Sequence, residues 1–280
     1  MIRTNIITRV PAMELLRLTT RLTLFAGFLA LTASLAGALL LTDALFRSRI
    51  DRAPFARFCF NGASRCLGFR VSAQGAFSPR PVLYVSNHIS WSDIPVLGGM
   101  VPLRFLSKAE VGRWPVIGWL ATQAGTLFIQ RGSGMAGQTR REIADTLIRG
   151  QSVLVFPEGT TTAGVTVLPF HSRLLHAAAD AGVDIQPVSI GYLRRGHPDH
   201  LAPFIGDDEF QHHLVRMLRQ PAVEVGVIAH PVVSLRDGCE MSEITRELQK
   251  TVQEGLWQIQ AGRLSNRETA GPTAVAGPEV

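Results

Sequence analysis

Pro81-Val82-Leu83-Tyr84-Val85-Ser86-Asn87-His88-Ile89-Ser90-Trp91-Ser92-Asp93 is the stretch from which the rest of the chain is read. Its first five residues are apolar and rich in β-formers, the signature of a strand. Polar residues follow at once. A turn into a helix near Ser90 or Ser92 would fold the Asp93 carboxylate back onto the His88 imidazole. A carboxylate so placed fixes the ring tautomer and leaves the other ring nitrogen free to take a proton from a hydroxyl. Standing alone, a histidine five residues before an aspartate has little specificity.

Further β-rich runs lie at 104–107, 126–130, 152–156, 184–192 and 222–228. Helical patterns fall between them at 136–149, 172–181 and 241–261, the last with a stripe of Ile244, Leu248, Val252 and Ile259. This alternation predicts an α/β domain with a mostly parallel central sheet flanked by helices. In such sheets, side chains converge on a crevice beyond the carboxyl ends of the strands, where the polar residues of this chain also fall.

Towards the N-terminus, 21 residues from Leu22 to Thr42 carry no charge and are bounded by Arg21 and Asp43. Roughly 20 residues suffice for a helix to cross a bilayer. Thr23, Gly27, Thr32, Ser34 and Gly37 temper the run, so a helix lying in the interface is the alternative to a spanning one. Ala36-Gly37-Ala38 resembles a cleavage site, but the apolar run exceeds the length of a usual signal peptide. Arg3, Arg9, Arg17 and Arg21 on one side match Arg47, Arg49, Arg52 and Arg57 on the other, so the distribution of positive charge sets no orientation. A start at Met13 would leave two against four and favour a cytoplasmic C-terminal domain. Phe55, Phe58, Cys59, Gly62, Cys66 and Phe69 then share one helical face, predicting a second, amphipathic helix. The expected division is a basic segment at 1–21, membrane-attachment helices at 22–70, a catalytic domain at 71–262 and a disordered tail at 263–280.

Composition narrows the partners. Of 280 residues, 46% are hydrophobic and only 18% charged, and the net charge is +6. Such a chain suits contact with lipid and with anionic groups. The basic residues are scattered rather than blocked, which argues against nucleic acid. Cys59, Cys66 and Cys239 lack paired spacing, so neither a disulfide framework nor a zinc site is indicated. Gly132-Ser133-Gly134-Met135-Ala136-Gly137 is formally a dinucleotide-type glycine pattern, but the strand before it belongs to a motif described next. There is no G-x-S-x-G elbow. His212 and His213 beside Asp207, Asp208 and Glu209 read as a polar loop entering a helix, not as a metal site.

Four ordered motifs resemble the lysophospholipid and glycerol-phosphate acyltransferase family over about residues 80 to 235. The first, Asn-His-x4-Asp, is Asn87, His88 and Asp93; the resemblance implies His88 as general base, Asp93 as its orienter and Asn87 among the substrate-binding residues. The second is Gly125-Thr126-Leu127-Phe128-Ile129-Gln130-Arg131, where Arg131 would meet the acceptor's phosphate and Gln130 replaces the family's Asp. The third is Phe156-Pro157-Glu158-Gly159-Thr160-Thr161-Thr162, in which Glu158, Gly159, Thr160 and Thr161 would line the acceptor's polar head. Thr161 stands where the family has Arg, and His171 or Arg173 could compensate. The fourth, Ile185-Gln186-Pro187-Val188-Ser189-Ile190, is a short apolar strand with an embedded proline. Lys108, in a segment also similar to the family, could face phosphate or coenzyme A.

The resemblance implies transfer of a fatty acyl group from acyl-CoA or acyl carrier protein, as co-substrate, to the 2-hydroxyl of 1-acyl-glycerol-3-phosphate, giving phosphatidate. No metal or other cofactor is needed. The expected location is the cytoplasmic membrane with the catalytic domain facing the cytosol. The loss of Arg at Thr161 and of Asp at Gln130 motivates another acceptor, such as lyso-ornithine lipid. A non-catalytic membrane adaptor is the alternative of another class, opposed by retention of His88 and Asp93.

Overall fold

The computed structural model describes residues 11–47, 50–129, 136–235 and 240–264. Two helices, α1 (Ala12–Phe46) and α2 (Ala53–Leu67), precede the sheet. The strands are β1 (Phe69–Gln74), β2 (Leu83–Ser86), β3 (Arg104–Lys108), β4 (Leu127–Ile129), β5 (Val153–Val155), β6 (Ile185–Arg194), β7 (His197–Pro198) and β8 (Val223–Ala229). Between them run α3 (Asp93–Met100), α4 (Ile117–Gln123), α5 (Ala136–Ile148), α6 (His176–Ala181) and α7 (Phe210–Arg219), with α8 (Met241–Gln260) last. The sheet order is β1-β8-β6-β2-β5-β3-β4, with β7 on β6. Among the strand pairings of the described residues only β8–β6 and β6–β7 are antiparallel, beside an isolated antiparallel bridge between Ile185 and Val233. The expected mostly parallel sheet is therefore present.

Burial explains why the central strands are continuously apolar. Every residue of β2 and β5, and all of β6 except Arg194, is buried, as strands covered on both faces must be. On one face lies α8, which buries Ile244, Leu248, Val252, Leu256 and Ile259 along a single stripe. Pro187 sits inside β6 without an N–H to donate. Its carbonyl accepts from His230 N–H at 3.0 Å, and the His230 carbonyl, which a residue with an N–H would have met, is taken by Gln186 Nε2 at 2.8 Å. A neighbouring side chain thus replaces the donor that proline removes.

Strand β1 escaped the sequence reading because Phe69-Arg70-Val71-Ser72-Ala73-Gln74 is half exposed, an edge strand paired parallel to β8 alone. It begins at Phe69, so the sheet starts just before the expected boundary at 71. The expected helix at 172–181 is broken into a 3-10 turn at Ser172–Leu174 followed by α6. The expected tail from 265 onward lies outside the described residues.

The N-terminal helix extends beyond the apolar run at both ends. Helix α1 has 35 residues, contains no buried residue, and reaches a mean hydropathy of 2.2 over its most apolar window. Arg17 and Arg21 belong to it, so residues 12–21 are not a separate basic segment. Arg21 Nη1 donates to the carbonyls of Leu218 (3.3 Å) and Gln220 (2.8 Å) at the end of α7. Twenty-two positions later, roughly 33 Å along a helix, Asp43 pairs with Arg52 at 2.6 Å, and Arg52 also donates to Gln123 Oε1 at 2.7 Å. The helix is tied to the domain at both ends of its apolar stretch and lies along it. Its outer face exposes Leu24, Leu31, Leu41, Leu45 and Phe46.

Helix α2 carries this layer to the site. Gly98 and Gly99 of α3 let α2 approach so closely that a Cβ at Gly99 would lie 3.0 Å from the Asn61 backbone. The backbone of α3, which begins at Asp93, is thereby fixed against the N-terminal helices.

Candidate active site

Strands β2, β5 and β6 are parallel neighbours, and their carboxyl ends deliver Asn87 and His88, Phe156 to Glu158, and Tyr192 to one crevice. The turn after β2 folds as the sequence suggested. Asp93 opens α3 with its N–H bonded to the Ser90 carbonyl, and its carboxylate points back at the loop.

Four donors converge on that carboxylate. Oδ2 accepts from Ile89 N–H at 2.7 Å and from Ser90 N–H at 3.0 Å, and lies 2.8 Å from His88 Nδ1. Oδ1 accepts from Tyr192 Oη at 2.6 Å, and Ser92 Oγ donates to that same phenol at 2.9 Å. With Asp93 fully buried and acting only as acceptor, the shared proton sits on His88 Nδ1 and the lone pair on Nε2. Nε2 has no hydrogen-bond partner among the described residues, and 19% of the His88 side chain is exposed. Phe156 stacks on the imidazole at 3.9 Å between centroids, 12° from parallel, which fixes the ring plane. Of the nearby hydroxyls, Ser90 Oγ is buried without a hydrogen-bond partner, and Ser92 Oγ is spent on Tyr192.

The remaining candidates separate into two groups. Asn87 is buried, and its amide exchanges two hydrogen bonds with the Ile190 backbone, Nδ2 to carbonyl and N–H to Oδ1, both at 2.9 Å. Glu158 is only 4% exposed, and accepts from His88 N–H at 2.7 Å and from Leu168 N–H at 2.8 Å. Burial pushes its carboxyl above the usual range, against the pull of those two N–H groups. Both side chains face the protein and lock the loops that carry His88. Thr162 adds to this by donating its N–H to the His88 carbonyl at 2.9 Å. Thr161 Oγ1 donates to the Phe204 carbonyl at 2.5 Å.

Gly159, Thr160, Arg173 and Lys108 are exposed. Gly159 has φ +70, a conformation that favours glycine, and His171 lies close to it. Arg173 follows on the 3-10 turn, and Lys108 ends β3. Arg131 and Gln130 lie outside the described residues, which stop at Ile129 and resume at Ala136.

Tyr192 stands in no motif of the sequence. A tyrosine at the carboxyl end of a buried parallel strand was the available signal. Burial and the adjacent Asp93 charge hold its phenol well above the usual tyrosine range, so it donates rather than ionises.

His213, which in sequence reads as part of a polar loop entering a helix, is fully buried. Its Nδ1 accepts from Trp91 Nε1 at 3.0 Å, and its Nε2 donates to the Pro203 carbonyl at 3.1 Å. Burial, reinforced by Arg216, pushes its pKa below the usual 6.5. Because the folded value is depressed, this contribution to stability is present above the unfolded pKa and lost as pH falls through the folded one. His213→Gln offers the same donor and acceptor without titrating. Its denaturation midpoint should therefore fall less than that of the wild type between about pH 7 and about pH 5. Parallel curves would show that His213 titrates alike in both states.

Comparison with known proteins places this geometry. The family model described as Acyltransferase matches residues 69–191. Lyso-ornithine lipid O-acyltransferase from Pseudomonas aeruginosa is 43% identical over 263 residues, covering 91% of this chain and 99% of that protein. A 1-acyl-sn-glycerol-3-phosphate acyltransferase from Neisseria gonorrhoeae is 38% identical over 127 residues, 45% of this chain and 50% of its own. The crystal structure of the 1-acyl-sn-glycerophosphate acyltransferase PlsC from Thermotoga maritima shares the fold, with a TM-score of 0.63 at 24% identity over 88% of this chain and 98% of that one. Near-full-length identity at this level, joined to a family model over the segment that builds the crevice, makes the chain a member of the acyltransferase family.

Proposed function

We propose that the chain transfers a fatty acyl group from acyl-CoA or acyl carrier protein to the free hydroxyl of a membrane lysolipid, with lyso-ornithine lipid as acceptor. The observation that carries the chemistry is the His88 imidazole, held at Nδ1 by Asp93 with Nε2 open. Nε2 takes the proton of the acceptor hydroxyl as its oxygen attacks the thioester carbonyl carbon. The tetrahedral intermediate collapses with rupture of the C–S bond, and the proton on Nε2 passes to the departing thiolate. The paired Asp93 carboxylate steadies the transient imidazolium. No enzyme nucleophile is required, since two bound reactants gain from proximity alone. In this reading Asn87 and Glu158 are positioning residues, while Gly159, Thr160, Arg131, Arg173 and Lys108 remain to contact headgroup or donor.

The acceptor assignment is supported by Thr161. Where the family carries a guanidinium for phosphate, this chain has a hydroxyl engaged with the Phe204 carbonyl. An ornithine headgroup carries no phosphate to bind. The near-full-length similarity to the lyso-ornithine lipid O-acyltransferase of Pseudomonas aeruginosa, and the similarity to that of Brucella abortus over 71% of this chain, point the same way. Phosphatidate formation from 1-acyl-glycerol-3-phosphate is the second reading, favoured by the similarity to 1-acyl-sn-glycerol-3-phosphate acyltransferases. The apolar outer face of α1 associates the protein with a membrane. Its two-ended attachment to the domain suits a helix lying in one leaflet, with the domain on the cytosolic side of the inner membrane.

The deciding experiment offers detergent-purified protein a labelled acyl thioester with either lysolipid, for wild type and His88→Ala. His88-dependent product from lyso-ornithine lipid alone is expected. Product from lysophosphatidate alone would move the assignment to the second reading, and equal turnover would end any exclusive one.

A further inference from the structure

From the turn after β3 into the start of α4 the chain exposes three large apolar side chains within six residues: Trp114 (36%), Val116 (50%) and Trp119 (40%). The backbone that presents them is strained. Val116 has φ 61 and ψ −61, and the Ile117 N–H donates to the Pro115 carbonyl at 2.6 Å, closing a γ-turn around a β-branched residue. Side chains branched at Cβ avoid this conformation, and strain of this sort is characteristic of working surfaces. Nor is the loop loose, because a Cβ at Gly118 would lie 2.4 Å from the Gly112 carbonyl oxygen. A tightly packed turn is being used to hold valine and tryptophan outward.

We propose that residues 113–119 form a second bilayer contact, seated at the boundary between headgroups and acyl chains. The proposal rests on the reading of the chain as an enzyme acting on a membrane lipid. The occupant follows from continuity. Immediately after Trp119, Leu120 and Ala121 join Leu35 and Leu39 of α1 and Phe55 of α2 in one apolar groove, so the loop extends the exposed apolar surface of α1 and α2. Tryptophan favours the membrane interface, where its ring is apolar and its N–H stays wet. Arg113, exposed at the start of the loop, suits anionic headgroups.

The consequence for catalysis is positional. Trp114 packs on Phe210 at 4.9 Å between centroids, and Phe210 meets Trp91 edge-on at 5.1 Å. Trp91 lies between His88 and Asp93 in the same loop. Two aromatic contacts therefore separate the bilayer loop from the catalytic loop, so docking at 113–119 holds His88 at the depth of a lysolipid hydroxyl.

Two measurements test this on the full chain. Replacing Trp91, Trp114 and Trp257 by Phe leaves Trp119 as sole emitter. In vesicles of equimolar phosphatidylcholine and phosphatidylglycerol its emission should shift to the blue and be quenched by chains brominated near the headgroup. Unshifted, unquenched emission from vesicle-bound protein overturns the proposal. Independently, Val116→Asp should raise the apparent KM for vesicle-presented acceptor about ten-fold, the value of one buried valine. The rate on a short-chain, water-soluble acceptor should be unchanged. A denaturation midpoint measured alongside keeps any folding defect apart from lost docking. An equal rise for both acceptors would place the loop in the acceptor site, and dissociation of a dimer without quenching would give the patch to a second copy; either result overturns bilayer docking. Quenching in the single-tryptophan variant together with wild-type protein inactive on every lysolipid would instead refute the proposed function and leave the docking loop standing.

Discussion

Replacing His88 by alanine is expected to lower turnover by about 10²–10⁴-fold, the range for removing a positioned general base, with little loss of stability. The asymmetry follows from the environment of the ring. His88 is part-exposed, and its backbone is held independently by Glu158 and Thr162. Alanine removes the ring and its stacking on Phe156, while the loop keeps those bonds. Rates on either lysolipid with a saturating acyl thioester, alongside circular dichroism and a denaturation midpoint, check both halves. A variant retaining a tenth or more of wild-type turnover would contradict the base assignment.

Asp93→Ala is expected to damage both activity and fold. Removing the carboxylate leaves Ile89 N–H, Ser90 N–H, Tyr192 Oη and His88 Nδ1 without their acceptor in a buried site. Stranded buried donors cost about 1–3 kcal/mol each before relaxation, so a net destabilisation of about 4 kcal/mol is expected, with turnover down by at least about 10³-fold. Asp93→Asn should be distinctly milder. Its single oxygen can face the three donors now served by Oδ2, while its amide donates to Tyr192, whose hydroxyl rotates toward Ser92. The His88 tautomer survives and only the charge opposite the imidazolium is lost. The ordering wild type, Asn, Ala in both midpoint and rate is the result to seek. Asn and Ala variants of equal stability would mean that the converging donors do not set the energetics of this loop.

The contrast between these variants reflects how far the site was legible. His88 and Asp93 were readable as a pair because the interaction is local: a helix beginning within a few residues must swing the carboxylate over the strand end. Asn87, Glu158 and Gly159 were recognisable as motif residues, yet not what their side chains touch. Glu158 was expected among groups facing the acceptor, but in the fold both its oxygens meet backbone N–H groups, one of them that of His88. Tyr192 and His213 lie 99 residues from Asp93 and 122 from Trp91, and no spacing rule reaches that far.

The same division holds for the fold. The buried parallel strands announce themselves, because covering both faces forces an unbroken apolar run. The edge strand β1, which meets solvent, does not. For α1, apolar length said that the helix could enter a bilayer; only the bonds of Arg21 to α7 and of Asp43 to Arg52 decide that it lies along the domain.

By itself, then, the sequence determined the layered α/β architecture, the apolar N-terminal helices and the His–Asp pair, because each depends on periodicity or on residues near in the chain. Tertiary structure alone decided which groups surround Asp93, that Glu158 turns inward and that Val116 is held outward in a strained turn, because these depend on contacts that sequence distance does not encode.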